Sequence, residues 1–189
     1  MRMHLLAAAA LIAVASSAHA QVDTPMPAGH GGSAHMKSTW QIGGATISIT
    51  YGRPALKGRA ESSMMPIGKP WRTGADVASI LTTDTPLTFG KVRLAPGSYT
   101  INTIPGETSW QLLLGTLKTP DQWGIPYQPS LEIARVPMAL SHAPTSVEQV
   151  TFAIDPTGNG GVLRLEWGTV TVSSPFVIDF HRRARTTGE

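Results

Sequence analysis

The sequence predicts an all-β domain, an antiparallel β-sandwich or jelly roll of about nine short strands, on three observations. Apolar and polar residues alternate at period two in several separate stretches. Turn signals rich in Gly and Pro separate those stretches at fairly regular spacing. After the first twenty residues, no window of eleven or more keeps a helical period free of Gly and Pro.

Residues 1–20 read as a secretory signal: Arg2 supplies a positive start, Leu5 to Val14 is unbroken apolar chain, and Ala18-His-Ala20 is a small-x-small cleavage site before Gln21. The apolar run is too short to span a bilayer, and no later segment approaches the length needed. A periplasmic or secreted location follows. Residues 21–38 read as a flexible linker, because Pro25, Pro27, Gly29, Gly31 and Gly32 sit there with almost no large apolar residue. Residues 39–180 form the expected domain, and 181–189, opening on His181-Arg-Arg-Ala-Arg185, a basic C-terminal tail.

Within the domain, Ala45, Ile47, Ile49 and Tyr51 alternate with Thr46, Ser48 and Thr50. Val77 to Thr83 is rich enough in β-branched residues to favour a strand. Ala95-Pro-Gly97 joins Val92–Leu94 to Ser98–Thr103, and Trp110–Leu114 is apolar at almost every position, as a covered central strand would be. Leu117–Ser130 is the long loop, with Trp123 and Tyr127 among three prolines. His142, beside Pro144, reads as a loop residue. Val150, Phe152 and Ile154 alternate with polar or small neighbours, and Asp155–Gly161 turns the chain into Leu163, Leu165 and Trp167. Val170 and Val172 repeat the theme.

Removing the twenty signal residues leaves 169 of 189, enough for one domain with a sizeable core and too few for two ordinary ones. There is no cysteine, so packing alone must hold an exported fold. Removing Arg2 from the 15 basic residues leaves 14 against 12 acids, a net of +2, which gives no argument for nucleic acid.

The chemistry concentrates in Tyr51-Gly-Arg-Pro-Ala-Leu-Lys-Gly-Arg59 and Gly68-Lys-Pro-Trp-Arg-Thr-Gly-Ala-Asp76. Arg53, Lys57, Arg59, Lys69 and Arg72 lie there with one acid between them, Glu61. Arginine forks grip carboxylate or phosphate oxygens in pairs, and lysine adds a point charge. With Tyr51, Trp71 and Asp76, these residues form a candidate site for a sugar, carboxylate or phosphate. The competing reading pairs the arginines with Asp76, Glu132 or Glu166 and makes them loop anchors of a structural cell-envelope protein. A third makes Asp76, beside Lys57 or Lys69, the acid–base group of a hydrolase-like or isomerase-like enzyme. There is no Gly-x-Ser-x-Gly elbow, no His-Glu-x-x-His and no P-loop. His30 and His35, with Met26 and Met36, carry ligand types that suit copper, but in a glycine-rich segment they read as solvated linker rather than a metal site. No cofactor is expected. Partners reduce to a possible small anionic or carbohydrate ligand, and nothing in the residues sets an oligomeric state.

The two motifs also carry a resemblance. Tyr-Gly-Arg-Pro-x-x-Lys-Gly-Arg followed by Pro-x-Gly-Lys-x-Trp-Arg-Thr-Gly-Ala resembles the domain of unknown function 2911 family of exported bacterial proteins. Leu94-Ala-Pro-Gly-Ser-Tyr99, Ile104-Pro-Gly106, Trp110 and Trp167 extend the match over roughly Trp40 to Val177. The resemblance implies an exported β-rich domain and supplies no activity. It also implies an amide after Thr-Gly-Ala, where this chain has Asp76, so no role for an uncharged amide carries over.

Overall fold

The structure is a computed structural model that describes residues 21–117 and 127–180. The expected signal, the basic tail and the middle of the long loop, with Trp123, lie outside the described residues.

Among the described residues, ten antiparallel strands form one hydrogen-bonded sheet. In chain order they are β1 (Gln21–Met26), β2 (Ala34–Ile42), β3 (Ala45–Arg53), β4 (Ser79–Thr83), β5 (Leu87–Phe89), β6 (Val92–Leu94), β7 (Gly97–Ile104), β8 (Ser109–Gly115), β9 (Glu132–Thr157) and β10 (Gly160–Ile178). Their spatial order is β1-β2-β3-β4-β7-β8-β9-β10-β5-β6. One helical turn, α1 (Glu61–Met64), and a 3-10 turn at Pro129–Leu131 are the described helical pieces. The all-β, antiparallel expectation therefore holds, with the strands in one continuous ladder. No described helix is long and apolar enough to cross a membrane.

The sheet folds over itself, and the bend is built at Gly168. The β9–β10 register shifts on both sides of this residue, between Glu166 and Val170, and Gly168 takes φ +63°. A side chain there would collide with Glu61, whose carboxylate accepts both the N–H and the hydroxyl of Thr169. Such a bulge sharpens the local twist. Beyond it, the end of β10 returns to the start of the same strand, and the Ile178 N–H donates to the Asn159 carbonyl at 2.8 Å.

One apolar core fills the fold. Trp40, Ile47, Ile49, Leu81, Ile101, Leu112, Leu114, Phe152, Leu163, Leu165 and Trp167 are buried within it. Each large aliphatic side chain so buried contributes about 1.5–3 kcal/mol. Without disulfides, this cluster carries the fold.

Two parts of the chain differ from the sequence reading. The expected linker, 21–38, is strand β1, a turn, and the first half of β2, which pairs with β3 from Ala34↔Arg53 to Ile42↔Ala45. The segment lacks apolar residues because β1 is an exposed edge strand that lies on β2 rather than on the core. The second difference is His142, which is in β9 opposite Val170, not in a loop. β9 runs for 26 residues through Pro137 and Pro144 because Pro144 falls in the register shift between His142 and Val147 and Pro137 lies past Ala139, where pairing with β10 ends, so neither has to donate to β10.

Candidate functional site

The two motifs fold as loops that touch where Gly52, at the end of β3, meets Gly74 and Ala75. A methyl group on Gly52 would lie 2.2 Å from the Ala75 carbonyl oxygen, so only glycine allows this approach. Among the described residues, the three non-glycine positions with positive φ all fall in these motifs: Lys57 (+50°), Thr73 (+57°) and Asp76 (+62°). Each such conformation costs about 1–3 kcal/mol and persists only where its surroundings hold it, a pattern that marks functional sites.

The first motif faces β9. Tyr51 is fully buried, packs edge-on to Phe152 at 4.9 Å, and accepts the Phe152 N–H through its hydroxyl, so it is core rather than a wall of a binding site. Arg53 donates from Nε to the Val150 carbonyl and from a terminal nitrogen to the Thr151 hydroxyl, both at 3.0 Å. It clips β3 to β9. The Lys57 N–H donates to the Glu148 carboxylate at 2.8 Å, while its side chain is exposed. Arg59 folds back on its own loop and donates to the carbonyls of Leu56 and Ala55.

The second motif faces β7. Trp71 exchanges backbone hydrogen bonds with Thr103, stacks on Trp167 at 5.5 Å and meets Trp110 edge-on at 6.2 Å. The Thr73 hydroxyl bonds to that of Thr103 and to the Trp71 carbonyl, and the Ser79 hydroxyl donates to the Thr73 carbonyl. Between these fixed residues Arg72 is exposed and, among the described residues, makes one hydrogen bond, from Nε to the Gly74 carbonyl at 3.3 Å. Lys69 is exposed on the same loop.

Asp76 has a partner the sequence did not suggest. Its carboxylate accepts the Gly31 N–H at 3.1 Å and lies 3.1 Å from His35 Nε2, with His35 and Asp76 only 8% and 7% exposed. Among the described residues neither Lys57 nor Lys69 is its partner, which tells against the third reading, and it pairs with no arginine either. A carboxylate oxygen accepts, so His35 Nε2 is the donor of this contact. His35 lies directly opposite Gly52 on the adjoining strand, and the absent side chain there makes room for the ring. The alternation of Trp40 and Ile42 continues backwards through Ser38, and that was the available signal for a strand here. Among the described residues, no group of three or more His, Asp or Glu is placed to hold a metal ion.

The other two acids considered as anchors are also engaged elsewhere. Glu132 bonds to Arg135 and to the Tyr127 hydroxyl, and Glu166 pairs with Arg164. The Arg135 guanidinium holds the Glu132 carboxyl below its usual range against an opposing push from burial, and Glu132 in turn raises Tyr127. Among the described residues, none of Arg53, Lys57, Arg59, Lys69 and Arg72 forms an ion pair with a carboxylate. The structure thus places the Arg53 side chain and the Lys57 backbone against β9, leaves Arg59 on its own loop, and sets Trp71, Arg72 and Asp76 in the loop against β7 and β3.

Residues 33–176 match the family described as "Protein of unknown function (DUF2911)", and the chain belongs to that family. No curated protein and no solved structure matches the chain.

Proposed function

We propose that this is an exported, non-catalytic recognition domain for a small anionic or polar ligand, with Arg72 as its principal contact. The observation that carries the reading is the absence of ion pairing among the five loop cations, as far as the described residues extend. Carbonyl oxygens orient the arginines without neutralising them. Among the three arginines Arg72 is the most available, because it is exposed and its two terminal nitrogens make no hydrogen bond among the described residues. Its neighbours are locked on both sides by the Trp71 stack and the Thr73 hydrogen bonds. An arginine on so fixed a backbone presents its fork to a carboxylate, phosphate or acidic sugar. Arg53 and Arg59 have anchoring roles within this scheme.

The test is calorimetric titration of the protein with inorganic phosphate, succinate and glucuronate. At least one should bind, more weakly as salt rises. Arg72→Ala should weaken it roughly tenfold, the scale of one charge-assisted hydrogen bond. Silence from all three probes, or unchanged affinity in the variant, would sink the proposal. Export is checked separately: N-terminal sequencing of the secreted or periplasmic protein should begin at Gln21.

A further inference from the structure

A cleft lined in part by Trp110 differs in chemistry from the cationic loops. The cleft, of about 210 Å³, opens between α1, the segment after it, the β7–β8 turn and the β9–β10 ladder. Met65, Ile67, Pro105, Trp110, Leu140 and Val170 make its walls apolar. Its polar lining residues include Glu61, Glu107 and His142, and among the described residues no lysine or arginine lines it. In a chain with 15 basic residues against 12 acids, this is a local reversal of sign.

From this lining we infer that the cleft binds a small apolar molecule carrying a cationic nitrogen, an aralkyl or alkyl amine. Three features lead there. The volume is below the about 300–1,000 Å³ of sites for drug-sized ligands, so the occupant is a single ring or a short branched chain. Indole is the best aromatic partner for a cation, and Trp110 is held rigid by its edge-on contact with Trp71. The two carboxylates differ in availability. Glu61 is occupied by Thr169 and keeps the bend at Gly168, whereas Glu107 is exposed and makes no hydrogen bond or ion pair among the described residues. Glu107 is therefore the group that would meet an ammonium, while Ile67, 58% exposed at the lip, would cover the apolar part.

The experiment compares three probes of one shape: phenethylamine, 2-phenylethanol and 3-phenylpropionate, read by tryptophan fluorescence and confirmed by NMR titration. The amine should bind roughly tenfold more tightly than the alcohol, the scale of a charge-assisted hydrogen bond, and the carboxylate more weakly than either. Glu107→Gln removes a charge from an exposed position and should bring amine and alcohol to within roughly threefold, with folding unchanged. Ile67→Lys places a cation at the mouth and should abolish the preference for the amine. Equal binding of amine and alcohol, tighter binding of the carboxylate, or no saturable response to the amine would each overturn the inference. Because Arg72 does not line this cleft, Arg72→Ala should leave the amine response intact, which separates this result from that of the anion site.

Discussion

At the scale of single residues, the backbone of Asp76 and its side chain demand different things, and two substitutions separate them. Asp and Asn both tolerate the left-handed conformation found here, φ +62°, whereas Ala does not tolerate it as well. Asp76→Ala also leaves the Gly31 N–H and His35 Nε2 without an acceptor. It should therefore destabilise the protein by about 2–4 kcal/mol, one buried unsatisfied group plus backbone strain. Asp76→Asn keeps an acceptor for Gly31 and a polar partner for His35 Nε2, so its cost should be less than half as large. Equal urea midpoints for the two variants would contradict this. Arg53→Ala, which releases two hydrogen bonds from a half-buried guanidinium, should cost about 2 kcal/mol, and Arg72→Ala should not move the midpoint. Glu132 adds a pH dependence. Its folded carboxyl titrates below the unfolded one, so its contribution is complete above the unfolded range and is lost as pH falls through the folded value. Stability should decline into acid, and Glu132→Gln should make that decline shallower in thermal melts taken across the range. The sequence could single out Asp76 and the cations because residue type limits chemistry. It could not show that Asp76 bonds to His35, since that contact joins positions 41 residues apart and depends on β2 existing.

Individual elements were legible to the extent that burial is one-sided. The β3 alternation, the β6–β7 turn at Ala95-Pro-Gly97 and the β9–β10 turn stand in the sequence because local geometry and core contact coincide. β1 was not legible, since all six of its residues are exposed and its strand state comes from pairing with β2 alone. The long β9 was hidden for a related reason: its middle, around Ser141–Ser146, is exposed or half-exposed and contributes no apolar period. Hydrogen exchange tests β1 directly. Amides within 22–26 that pair with β2 should exchange well below the rate of an unstructured chain. Asp76→Ala should speed exchange in the 29–35 turn while the central β3 amides stay protected. Free exchange throughout 22–26 in the unmodified protein would restore the linker reading.

For the molecule as a whole, the ladder joins strands that are far apart in sequence, and that sets how it folds. β5 pairs with β10 through Thr88↔Val177, and β3 is tied to β9 by Arg53 and by the Tyr51 hydroxyl across about a hundred residues. Closing such long loops costs entropy before any contact repays it, so refolding belongs in the range of roughly milliseconds to seconds typical of non-local β folds. Within that process the β9–β10 hairpin is the most local large unit, with a two-residue connection between Thr157 and Gly160. It can form early, whereas the clip between β3 and β9 needs both the hairpin and the β2–β3 pair already in place. Arg53→Ala should therefore accelerate unfolding by nearly the full amount of its destabilisation and leave the refolding rate almost unchanged. A substitution that weakens the hairpin, such as Leu163→Ala in the core, should instead slow refolding. Stopped-flow chevrons of the two variants measure both limbs. If Arg53→Ala slowed refolding as strongly as it lowered stability, the clip would be part of the folding nucleus and this order of assembly would be reversed.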